Sequence, residues 1–115
     1  MAWLGLIEDD ELLARSLIRQ LPEPSVKWIR SEVMLHLHVW QLGLPSALIV
    51  DLDLGPAMSG LQMAHAYLTR CAVFVWTGQP ENVPAVWREC SVGIFEKTET
   101  VRLLRAVRRT LEEMK

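Results

Sequence analysis

Five times along this chain a short apolar run gives way to a longer segment whose apolar residues recur at helical spacing, and that alternation restricts the fold more than any other feature. Residues 3–7 (WLGLI) form the first run, ended by Glu8, Asp9 and Asp10. Leu12, Leu13, Leu17, Ile18 and Leu21 then follow a helical period until Pro22 and Pro24 stop it. Residues 26–29 form a weaker second run, after which Ser31 is placed to cap a helix carrying Val33, Leu35, Leu37, Val39 and Trp40. Gly43 and Pro45 end that helix. Residues 47–52 (ALIVDL) are the clearest strand, apolar at consecutive positions like a central parallel strand covered on both faces. Beyond Gly55 and Pro56, Ser59 opens a third helix expected to reach about Arg70. Residues 72–76 (AVFVW) are the fourth run, broken at Thr77 and Gly78, and a short helix over about 81–89 leads to a fifth strand over 92–95. Residues 99–113 close the pattern, with Val101, Leu103, Leu104, Val107 and Leu111 expected on one apolar stripe.

Repeated strand–helix units imply a parallel sheet, because each parallel crossover needs a helix and turns right-handed. The expected fold is α/β: a doubly wound, five-stranded parallel sheet with helices on both faces. A length of 115 residues, half of them hydrophobic and 23% charged, suits one domain over 1–115 without linker, repeat or output domain. A formal charge of −2 gives no general reason to expect nucleic-acid binding. Cys71 and Cys90 are too few for a disulfide framework or a zinc site and read as small apolar residues in a reducing cytosol. No apolar stretch approaches the ~20 residues of a membrane span, and Glu8 arrives where a signal peptide would still be apolar. A soluble, cytoplasmic protein is expected.

Open parallel sheets bind ligands outside the carboxyl ends of their strands. Strand one delivers Glu8, Asp9 and Asp10 there; strand three delivers Asp51 and then Asp53; strand four delivers Thr77 and strand five Lys97. The second strand ends in Arg30 and Ser31 and adds nothing acidic. Clustered carboxylates repel one another and are stable together with a cation, for which magnesium is well suited, since it takes hard oxygen ligands and tolerates waters and a phosphate oxygen in its shell. An aspartate carboxylate is a competent nucleophile toward a phosphoryl group, while a lysine and a hydroxyl can hold the oxygens of that group.

These residues resemble the receiver domains of two-component response regulators. The likeness runs from about Trp3 to Leu111 and rests on LIEDDE at 6–11, ALIVDLDLGPAMSGLQ at 47–62, VFVWTG at 73–78 and GIFEK at 93–97, in that order on successive strand ends. It implies a flavodoxin-like sheet of order 2-1-3-4-5. It also implies Mg2+ held by Glu8, Asp9, Asp51 and the backbone carbonyl of Asp53, with Asp9 the more direct acidic ligand. Asp51 becomes the phosphoacceptor, Thr77 the hydroxyl that reports phosphorylation and Lys97 the partner of the acyl phosphate. The implied partners are a sensor histidine kinase or phosphotransfer protein, an output domain or protein, and a second copy through the fourth helix, fifth strand and fifth helix. No membrane or nucleic acid is implied, and no enzymatic activity beyond self-catalysed phosphoryl transfer and dephosphorylation. Asp10 is more simply an N-cap.

The chain departs from the family's pattern at three places. Thr98 follows Lys97 where a proline with a cis peptide is common, and a non-proline cis bond costs ~3 kcal/mol. Ile94 stands three before Lys97, where an aromatic switch residue is usual, and the loop from Asp51 to Gly60 is one residue longer than the commonest form. Two other functions use overlapping residues. A degenerate receiver acting only as a protein-interaction module fits the absent proline and aromatic. A haloacid-dehalogenase-like phosphatase fits Asp51-Leu52-Asp53, Thr77 and Lys97, but needs a later acidic motif that 98–115 does not offer.

Other polar and aromatic residues read more simply. His36 and His38 are two apart and face different sides of a helix, so they do not form a metal pair, and His65 stands alone. Trp40, Trp76 and Trp87 sit in apolar patterns and are expected in core or edge packing. Arg102, Arg105, Arg108 and Arg109 read as a solvated face, with a docking surface as the sharper alternative.

Overall fold

The apolar runs become strands because their residues find apolar cover on both faces. In the computed structural model, which describes residues 3–21, 25–51 and 60–114, they form β1 (Leu4–Ile7), β2 (Val26–Ile29), β3 (Ala47–Asp51), β4 (Ala72–Thr77) and β5 (Gly93–Glu96). All neighbours pair in parallel, in the order β2-β1-β3-β4-β5. The helices are α1 (Glu11–Gln20), α2 (Glu32–Leu42), α3 (Gly60–Ala64), α4 (Ala85–Cys90) and α5 (Thr100–Glu113).

Alternation along each strand divides the core in two. Leu4, Leu6, Ala47, Ile49, Phe74 and Trp76 point toward α1 and α5, where they meet Leu17, Leu103, Leu104 and Val107. Ile7, Leu48, Val50, Val73 and Val75 point the other way, toward Leu35 of α2, Met63 of α3 and Trp87 of α4. Each fully buried aliphatic side chain contributes about 1.5–3 kcal/mol, so the central strands β1 and β3, buried at every position, anchor the sheet.

Local signals fix the helix ends. Asp10 caps α1, its Oδ1 accepting from the Leu12 and Leu13 amides at 3.0 and 3.2 Å. Ser31 caps α2 through the Met34 amide at 3.2 Å. Gly43 closes α2 at φ 82°, a left-handed conformation that glycine adopts without steric cost.

Four details differ from the sequence expectation. The helix expected to run to Arg70 is α-helical only to Ala64 and tightens to a 3-10 turn at His65–Tyr67, which carries Tyr67 into the core; Ser59, expected to open it, lies outside the described residues. The helix expected over 81–89 is split into a 3-10 turn at Pro80–Asn82 and α4, because Pro84 has no amide to continue a helix and stands at the N-cap instead. Val101 is 69% exposed and Leu12 80% exposed, since at 100° per residue each projects well away from the buried side of its helix. Trp40 is 81% exposed; α2 is apolar nearly all round, so periodicity alone did not select the face it buries.

Among the described residues no helix is long and apolar enough to cross a membrane.

Candidate functional site

Strand order decides which side chains meet. β1, β3, β4 and β5 lie side by side, and adjacent strands are roughly 4.8 Å apart, so the residues at their carboxyl ends share one edge. Asp51 is the last residue of β3 and pairs with Trp76 of β4; Thr77 pairs with Glu96 of β5. Glu8 and Asp9 directly follow β1, and Lys97 directly follows β5. Glu8, Asp51 and Thr77 are the buried polar residues among those described, and all three lie on this edge.

The carboxylates of Glu8, Asp9 and Asp51 offer ligand oxygens that all lie within 4.8 Å of one another. Two unit charges at that separation repel by about 3 kcal/mol at an effective dielectric near 20, so the fold holds a trio of acids that calls for positive charge. Lys97 supplies part of it. Its ammonium donates to Glu8 Oε2 and stands 3.7 Å from Asp51 Oδ1. It also sits over the Trp76 ring, 4.0 Å from the centroid. One lysine cannot neutralise three carboxylates, and the remaining demand suits a small, hard divalent cation with oxygen ligands.

Backbone contacts hold these groups in place. The Lys97 amide donates to the Thr77 carbonyl at 3.0 Å, fixing the loop after β5 against the end of β4. Glu8 Oε1 accepts from the Asp10 amide at 3.1 Å, and the Glu8 carbonyl accepts from Trp28 Nε1 at 2.7 Å. Thr77 Oγ1 accepts from the Gln79 amide at 3.0 Å, which aims the hydroxyl at the loop rather than into the core. Gly60, the first residue of α3, packs so close to β3 that a Cβ there would lie 1.8 Å from the Asp51 carbonyl oxygen. No peptide bond among the described residues is cis, in keeping with Thr98 after Lys97.

Glu8, Asp9, Asp51 and Lys97 are therefore brought together, with Thr77 beside them. Asp53 lies outside the described residues. Two contributors escaped the sequence reading. Trp76 is legible in sequence only as a buried apolar residue, although its ring carries the Lys97 ammonium, and nothing in a weak strand marks the Trp28 indole N–H as a clamp on Glu8. The histidines stay outside the site. His36 Nδ1 lies 2.5 Å from the Tyr67 hydroxyl and its Nε2 3.4 Å from Glu32, while His38 tilts against Trp3.

No protein-family model matches the chain, and no curated protein matches its sequence. Its structure, however, superposes on solved proteins, several of them receiver domains. The N-terminal domain of a response regulator/sensory box/GGDEF protein from Carboxydothermus hydrogenoformans aligns with TM-score 0.78 and 21% identity, covering 97% of this chain and 95% of that one. A sensor protein from Polaromonas sp. JS666 gives 0.78 and 21% over 99% and 98%. A CheY-like receiver domain from Methylobacillus flagellatus gives 0.73 and 17% over 96% and 98%. The five-stranded order and the helical layers are those of the response regulator receiver fold.

Proposed function

We propose that this chain is a phosphorylatable receiver domain in which Asp51 accepts a phosphoryl group from a histidine kinase or a phosphotransfer protein. One observation carries the reading: three carboxylates and a lysine from three separate strand ends meet at the edge where open parallel sheets bind ligands. A purely structural role for Asp51 does not account for burying it beside two further acids.

In this reading Glu8, Asp9 and Asp51 hold Mg2+, with the Asp53 carbonyl as a further ligand. The ion, when bound, offsets the charge on the transferring phosphoryl group. The chain's own residues do the rest. A carboxylate oxygen of Asp51 attacks phosphorus as the P–N bond to the donor imidazole breaks, and the imidazole leaves as the neutral base after taking up a proton. Lys97 shifts its ammonium from Glu8 toward the new phosphoryl oxygens, and Thr77 turns its hydroxyl toward them. The added charge biases a pre-existing two-state equilibrium of the α4–β5–α5 face and so its choice of partner. The chain is a signalling switch rather than an enzyme with a turned-over substrate, and it belongs in the cytoplasm, where such donors act.

Mg2+ with beryllofluoride, an acyl-phosphate mimic, should give a saturable change in tryptophan emission that needs both components. Treatment with acetyl phosphate should add one phosphoryl group by mass, and Asp51→Asn should not gain it. An interaction module, the reading favoured by Ile94 and Thr98, would do neither. A dehalogenase-like phosphatase would instead turn over a small phosphoester.

A further inference from the structure

Beside the acids at the strand ends stands a cation that neutralises none of them. Ile7 of β1 pairs with Ile29 of β2 on one side and with Val50 of β3 on the other. The next residues, Arg30, Glu8 and Asp51, therefore lie abreast in one row at the carboxyl edge. Arg30 is exposed, and the ion pairs among the described residues leave it out. Its guanidinium lies instead over the Trp28 ring, 3.8 Å from the centroid. The same indole donates from Nε1 to the Glu8 carbonyl at 2.7 Å. Trp28 thus ties Arg30 to the backbone of the acidic trio and, by engaging the guanidinium face, holds it off the exposed Asp9 carboxylate.

We infer that Arg30 is a donor-steering residue, drawing the doubly negative phosphoryl group of the donor toward the Asp51 edge. The inference rests on the reading of Asp51 as phosphoacceptor. Three carboxylates in close company repel an incoming dianion as well as one another. Lys97, bonded to Glu8, answers that repulsion at the acceptor itself. Arg30 answers it on approach. Adjacent strands are roughly 4.8 Å apart, which puts the Arg30 backbone about 10 Å from that of Asp51. That is about one screening length at 0.1 M salt, so the charge is felt where the donor enters.

The stack on Trp28 is what keeps that charge effective. Paired with Asp9, the guanidinium would be cancelled by the carboxylate; on a neutral ring its field is kept. Arginine suits the task better than lysine would, because its weakly hydrated plane lies on an aromatic face while its N–H edges stay open to phosphate oxygens.

Acetyl phosphate presents the phosphoryl dianion without a protein surface, so it isolates the effect of charge. At low ionic strength and saturating Mg2+, the second-order rate constant for phosphorylation should fall about fourfold in Arg30→Gln, the Coulomb effect of one charge on a dianion about 10 Å away in water. Phosphoramidate, with one net charge, should lose only about twofold. Both losses should vanish near 1 M salt, where the screening length is about 3 Å. Arg30→Lys, which keeps the charge, should stay near the native rate. Hydrolysis of the aspartyl phosphate by uncharged water should not change in either variant. Mg2+ affinity, followed by tryptophan emission, should rise in Arg30→Gln because a repelling charge is gone. An unchanged rate constant in Arg30→Gln overturns the inference, as does a loss that persists in high salt, which marks a packing role beside Trp28. A fall in Mg2+ affinity overturns it too, as damage to the clamp on Glu8. A native chain that gains no phosphoryl group at all instead overturns the phosphoacceptor reading, and the inference falls with it.

Discussion

The Lys97 ammonium rests on the Trp76 ring, 4.0 Å from its centroid, while bonded to Glu8 and 3.7 Å from Asp51. Trp76 is 2% exposed and its indole N–H has no hydrogen-bond partner among the described residues. The ring thus serves as a buried apolar platform whose π-face steers the Lys97 ammonium among three acids.

Replacing that platform should separate its two roles. Trp76→Leu is expected to cost about 3 kcal/mol through lost volume and to slow phosphorylation by acetyl phosphate. Trp76→Phe keeps a ring under Lys97 and removes an unsatisfied N–H, so it should cost less than half as much. Urea denaturation measures both. The emission change with Mg2+ and beryllofluoride should shrink sharply in Trp76→Phe and persist in Trp87→Phe.

Removing the lysine should expose the repulsion it masks. In Lys97→Met the Glu8 carboxylate, 1% exposed, loses its ion-pair partner, at an expected cost of about 3 kcal/mol. Added Mg2+ should then raise the melting temperature of the variant more than that of the native chain, because the cation replaces the missing charge. No Mg2+-dependent shift in either protein would show that the acids do not share a cation.

Gly60 is expected to tolerate no side chain. A Cβ 1.8 Å from the Asp51 carbonyl oxygen cannot be accommodated without moving backbone, so Gly60→Ala should destabilise by about 2 kcal/mol or more. Because the displaced atom belongs to Asp51, Mg2+ affinity should fall as well, which calorimetric titration can follow.

Burial pushes the Cys71 thiol from an ordinary 9.0 up to about 11, against a smaller downward pull from Arg70. The fold keeps this thiol neutral where the unfolded chain would ionise it. Stability from this source is complete below pH 9 and is lost as pH rises toward about 11. Tyr67, also raised chiefly by burial, acts in the same direction. The urea midpoint should fall over this range, less steeply in Cys71→Ala. At pH 8 alkylation should label exposed Cys90 well before Cys71.

Sequence periodicity determined the five strands, their parallel pairing and the edge on which the carboxylates and Lys97 collect. A strand covered on both faces must be apolar throughout, and its first polar residue must mark its end. Asp51 after ALIV and Thr77 after AVFVW were legible for that reason, as were the caps at Asp10, Ser31 and Gly43, whose chemistry is local. Only the tertiary structure decided what those ends do to one another. The ion pair of Lys97 with Glu8 spans most of the chain, and the Trp76 ring beneath it looks in sequence like any other core residue. The same holds for α2: its apolar residues are spread round the helix with His36, His38 and Gln41 among them, so periodicity carries no signal of its buried side, and the exposure of Val33, Leu37 and Trp40 emerged only once β2 and its neighbours had claimed the opposite face. Local patterns encode which residues leave water; which partners they then meet depends on contacts between segments far apart in the chain.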